Sequence, residues 1–124
     1  MKWLRRWTSG IFRPHYLEIV EPGPHRLVID SSRGEFVFDR RRRIVSRDGR
    51  ALARFDEVRF VDVARDLDPG AGVDWEVSLY LSLLHRICIG QTHDNTRASI
   101  VGARIVGVTG ARALGWTRAL GVRK

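Results

Sequence analysis

Cysteine occurs once, at Cys88, which rules out an intrachain disulfide framework and fits a reducing compartment. No run approaches the ~20 apolar residues that a helix needs to cross a bilayer, and the N-terminus has no apolar stretch ending in a small-residue cleavage site. The expectation is a soluble, cytoplasmic protein, with peripheral contact at the inner membrane as a further expectation. A phosphate-cradling glycine loop, a Gly-x-Ser-x-Gly elbow and a zinc ribbon are all missing. His85, Cys88 and His93 could suggest a metal or a thiol nucleophile, but in an extended segment His85 and Cys88 project from opposite faces. The acids Asp62, Asp66, Asp68, Asp74 and Glu76 crowd one region, yet Gly70 follows Asp68-Pro69 with no third ligand and no distal Glu, which fails the calcium-loop spacing. No catalytic residue, metal or cofactor is therefore expected, and the chain reads as a non-enzyme.

What is present is enough for one compact domain: 124 residues, 44% hydrophobic, with four Trp and five Phe. A basic amphipathic segment covers residues 1–14, a folded domain residues 15–115 and a basic tail residues 116–124. The formal charge is +8, carried by arginine far more than lysine, which points to acidic partners: phospholipid headgroups, nucleic acid or an acidic protein. Its distribution is uneven. Residues 39–54 carry +5 and residues 97–124 carry +6, whereas residues 55–76 hold seven acids against two arginines.

In the N-terminal segment Trp3, Leu4, Trp7 and Ile11 fall on one side of a helical wheel, with Lys2, Arg5 and Arg6 on the other. Trp3, Leu4, Arg5, Arg6 and Trp7 are candidates for a membrane or partner contact; the alternative is a segment that covers an open end of the sheet. Beyond Pro14 the pattern becomes period-two. Tyr16–Val20 and His25–Asp30 form a first hairpin around Glu21-Pro-Gly-Pro24, and Phe36 and Phe38 share one side of the next strand. Asp48-Gly49 predicts a type I′ hairpin in which Arg47 faces Arg50, Val45 faces Leu52 and Arg43 faces Arg54, so that four arginines share one side. The apolar parity switches between Phe60 and Val61, the mark of a bulge or of a passage between sheets. From Val73 to Leu84, Trp75, Val77, Leu79, Leu81 and Leu83 alternate with Asp74, Glu76, Ser78, Tyr80 and Ser82, which predicts a long strand solvated on one side. Capped near Asp94, a helix is expected from about Asn95 to Leu114; two short strands are the rival reading of the same residues.

The run from Phe36 to Gly49, then Phe55-Asp-Glu-Val58, the long strand from Trp75 to Leu83 and the capped helix together resemble the bacterial pleckstrin-homology-like domains. The resemblance implies a mainly β fold with one C-terminal helix: a split barrel of seven to eight antiparallel strands capped by the helix. It also implies a binding or assembly module. Eukaryotic relatives often grip phosphoinositides with basic residues in the first strand-turn-strand; here that turn is Glu21-Pro22-Gly23-Pro24, with only His25 and Arg26 beside it. The anion or partner site is expected instead at Arg40, Arg41, Arg42 and Arg43 with Arg47, Arg50 and Arg54. A protein partner or an anionic lipid surface is the leading expectation, and single-stranded nucleic acid or another phosphate backbone the alternative.

Overall fold

The computed structural model describes residues 16–68 and 72–114; the N-terminal segment with Trp3, Leu4, Arg5, Arg6 and Trp7, and the tail 116–124, lie outside the described residues. Five strands, β1 (Leu17–Pro22), β2 (Arg26–Ser31), β3 (Gly34–Asp39), β4 (Ile44–Arg47) and β5 (Arg50–Arg54), form an antiparallel sheet in sequence order. A 3-10 turn (Phe55–Glu57) leads to β6 (Phe60–Asp68), β7 (Gly72–Ser82) and β8 (His85–Thr92). Helix α1 (Asn95–Thr109) follows, and β9 (Arg112–Leu114) completes a second sheet of order β8-β7-β6-β9.

Alternation dictates the core. Leu27, Ile29, Phe36, Phe38 and Val45 of the first sheet meet Val61, Val63, Val77, Leu79 and Ile89 of the second, and all are buried. Ala98, Val101 and Ile105, at helical spacing, bury one face of α1 against both sheets. The two sheets are joined where Ser31 Oγ donates to the Ile89 carbonyl at 2.5 Å, beside Gly90.

Several expectations are corrected by this architecture. Among the described residues there are nine strands in two sheets that do not close into a barrel, and β9 runs parallel to β6. The helix ends at Thr109, short of Leu114, because Gly110 adopts a left-handed conformation (φ 79°) and its amide donates to the Val106 carbonyl. Thr109 reinforces the stop, its hydroxyl donating to the Ile105 carbonyl and accepting from the Ala111 amide. The parity switch at Phe60 and Val61 needs no bulge in β6, whose register with β7 is unbroken. The 3-10 turn and Val58 carry the chain from one sheet to the other and reset the phase there.

The Asp48-Gly49 turn forms as expected, with positive φ at both residues (51° and 84°), and Arg47 pairs with Arg50. Beyond Ser46 and Ala51 the register shifts, so Val45 faces Ala53, not Leu52, and Ile44 faces Arg54. Val45 is buried, so the β4 face that also carries Arg47 turns toward the core, while Arg54 shares the other face with Ile44. β7 is corrected too: Asp74 and Ser78, placed on its solvated side, are each only 2% exposed. Polar neighbours make that burial tolerable, since Ser78 Oγ donates to Glu76 at 3.2 Å and His93 Nδ1 lies 2.6 Å from Asp74 Oδ1.

Candidate anion-docking surface

The turn between β3 and β4 is held from within. Asp39 Oδ1 accepts from the amides of Arg41 (3.0 Å) and Arg42 (3.1 Å), an Asx turn that fixes the backbone while the carboxylate faces amides. Arg40 N donates to the His25 carbonyl at 2.8 Å, and Phe55 N donates to the Arg43 carbonyl at 2.9 Å, so both ends of the turn are tied to neighbouring elements. Arg43 takes a left-handed conformation (φ 56°) and its guanidinium lies 5.6 Å from the Phe55 ring centroid. Arg40, Arg41 and Arg42 are left exposed.

The seven arginines singled out in the sequence do not converge. Arg40 to Arg43 and Arg54 sit at one end of β4, whereas Arg47 and Arg50 sit at the other, about 10 Å or more away at the rise of an extended strand. Arg47 lies over the Phe36 ring at 5.8 Å. Arg54 is engaged by Asp56 at 3.0 Å and Glu57 at 4.0 Å, and its hydrogen bond to Asp56 raises its pKa further above the ordinary arginine value. The acidic first turn is also closed on itself: Arg26 donates to Glu21 at 2.9 Å, which lowers the pKa of the Glu21 carboxyl.

A fourth element supplies a cation that the sequence reading overlooked. Between the β1–β2 turn and α1 lies a shallow cleft of about 310 Å³, lined by Gly23, Pro24, Leu27, Ala103, Gly107 and Val108 together with Arg40 and Arg104. Two arginines from distant parts of the chain thus line one cleft, and no carboxylate does. Two other clefts are mixed in charge: Glu18 and Asp94 accompany Arg97 in one of about 340 Å³, and Asp56 and Glu57 accompany Arg59 in one of about 530 Å³. In the sequence Arg104 was only a polar position on a helix, about a quarter turn from the face of Ala98, Val101 and Ile105.

The outer face of the second sheet carries an unexpected row. Arg112 pairs with Phe60, Phe60 with Tyr80 and Tyr80 with Arg86, so two half-buried rings stand side by side between two exposed arginines. Arg86 also lies 3.7 Å from Glu76, whose charge is the main cause of its raised pKa. Close by, the β7–β8 hairpin ends in Leu83 and Leu84, which are 82% and 99% exposed.

Nucleophilic chemistry finds little support here. Burial, with help from the neighbouring Glu76, pushes the Cys88 thiol up to about 12, which leaves it protonated near neutral pH. Among the described residues no three His, Cys, Asp or Glu side chains converge as a metal site would require. Among them too, no helix is long and apolar enough to cross a membrane. No family model, curated protein or solved structure matches the chain.

Proposed function

We propose that this protein is a non-enzymatic docking module that holds an anionic group in the cleft between the basic β3–β4 turn and α1. One observation carries the reading: Arg40 and Arg104 line the same cleft and no carboxylate lines it, the Glu21 carboxylate next to Gly23 being held by Arg26. The volume suits a phosphate or carboxylate group, being at the small end of ligand pockets. Arg41 and Arg42 follow Arg40 on the same turn, exposed, with their amides held by Asp39. The resemblance to pleckstrin-homology-like domains belongs to this reading. It is supported by an antiparallel meander, a second sheet and a helix in that order, while the parallel β9 departs from the expected ending.

The anion belongs either to a lipid headgroup or to an acidic protein, and one experiment separates the two. The full chain is sedimented with phosphatidylcholine vesicles with and without phosphatidylglycerol, beside an Arg40→Ser/Arg104→Ser variant. A headgroup gives binding to the anionic vesicles that falls about tenfold per arginine, the worth of one charged hydrogen bond. A protein partner gives no vesicle binding, but a captured protein that the variant no longer retains. If the variant matches the wild type in both assays, the cleft is not the site.

A second reading has its own support in the Arg112–Phe60–Tyr80–Arg86 row, since paired rings between cations can stack the bases of a single strand. Here a labelled single strand binds with steep salt dependence, and Tyr80→Ser weakens it while Arg40→Ser/Arg104→Ser does not.

A further inference from the structure

Leu83 and Leu84 form a two-residue loop between Ser82 and His85, which pair across the hairpin. Loops of this length favour turns with positive φ, built from Asn, Asp or Gly. Among the described residues the non-glycine positions with positive φ are Arg43 and Asp48, so neither leucine takes that role. The loop is closed instead by Ser82, whose hydroxyl accepts from the Leu84 amide at 3.3 Å, with a register shift between Tyr80 and Ser82 absorbing the misfit. Neither leucine side chain is needed for the turn, and neither packs on the core: they are 82% and 99% exposed at the far end of an eleven-residue strand. Isolated exposed leucines are commonplace, but two adjacent ones on a convex tip form an apolar prominence held in water.

The surroundings of the tip say what would cover it. His85 and Arg86 follow it directly, Arg59 shares a cleft with His85, and the Arg112 amide donates to the Arg59 carbonyl. Asp56 and Glu57, which line that cleft too, are engaged by Arg54, and Glu76 lies 3.7 Å from Arg86, whose side chain stays half exposed. Behind the tip stand Phe60 and Tyr80. The order along this end is therefore aliphatic tip, then aromatic rings and cations, which is the order of a bilayer from hydrocarbon through interface to anionic headgroups. A convex tip without a rigid socket of its own suits a fluid surface.

We propose that Leu83 and Leu84 at the β7–β8 tip insert into the interface of an anionic bilayer while Arg59, Arg86 and Arg112 contact its headgroups. This rests on the headgroup form of the docking reading and adds a second, apolar point of attachment. The test uses the full chain and a Leu83→Ser/Leu84→Ser variant, sedimented with phosphatidylcholine–phosphatidylglycerol vesicles at about 0.1 M and about 1 M salt, where screening shortens the reach of charges from ~10 to ~3 Å. The expected result is a roughly thirtyfold loss of vesicle affinity in the variant at low salt and the disappearance of the salt-resistant residue of binding, with an unchanged thermal melt. Unchanged affinity in the variant, or no binding of the wild type to anionic vesicles, overturns the proposal. A wild-type dimer that the variant converts to monomer overturns it in favour of a second copy as the occupant. Arg40→Ser/Arg104→Ser keeps the two readings apart: if it binds vesicles normally while the leucine variant does not, the tip stands and the cleft falls, and the reverse result removes the tip alone.

Discussion

Asp39 and Asp94 do the same work at different places, each turning one carboxylate oxygen toward two backbone amides. Asp94 Oδ1 accepts from Thr96 at 2.9 Å and Arg97 at 3.2 Å, which caps α1 and satisfies two of its unpaired first-turn donors. Asp94→Ala is expected to cost about 1 kcal/mol, read as a lower midpoint in urea with an unchanged slope. Cys88 gives a residue-level prediction in pH. Burial raises its folded pKa from 9.0 to about 12, so between those values the unfolded chain loses a proton that the folded chain retains. Stability is thus fully present below pH 9 and falls as pH rises toward 12. In Cys88→Ala this part of the alkaline loss disappears. The melting temperature of the wild type should therefore drop more steeply than the variant's over that range, by roughly 5 °C, in a pH series followed by circular dichroism.

At the scale of elements, two glycines fix how strands meet. A Cβ on Gly90 would lie 2.7 Å from Ser31 Cβ and 2.9 Å from Leu17 Cδ1, so β8 can approach β1 and β2 only because that atom is missing. Gly90→Ala is expected to push the sheets apart locally and to cost about 1–3 kcal/mol, measured by denaturant unfolding. Gly49 faces open space, and its constraint is conformational: φ is 84° in the second position of the type I′ turn. Gly49→Ala should cost about 1–2 kcal/mol through backbone strain alone and leave the other hairpins unaltered, as amide exchange would report. The contrast between the two sites separates crowding from strain with the same added methyl group.

At the scale of the molecule the charge is sorted by position. Arg43, Arg47 and Arg54 are partly absorbed by aromatic rings and by Asp56 and Glu57, whereas Arg40 and Arg104 line one cleft beside α1. Asp74 is buried in the second sheet, and Glu76 lies 3.7 Å from Arg86 there. A partner held by such a surface must respond to salt. Affinity for anionic vesicles should fall at least tenfold between about 0.1 M and about 1 M salt, as screening shortens from ~10 to ~3 Å. A flat salt profile in vesicle sedimentation would show that charge does not carry the attachment.

Local pattern was sufficient for much of this protein. Strict alternation fixed which residues of β3 enter the core, Asp48-Gly49 fixed a hairpin, and Asp94 fixed the start of α1, because each depends on backbone geometry within a few residues. Where contacts span the chain, the sequence was silent or misleading. The shift opposite Leu52 reversed the side of β4 that faces inward, Gly110 stopped the helix so that β9 could join β6, and Arg104 came to stand beside Arg40. Each outcome turns on what lies across the core, since a side chain's face and neighbours are chosen by burial of the whole apolar surface and not by the residues next to it.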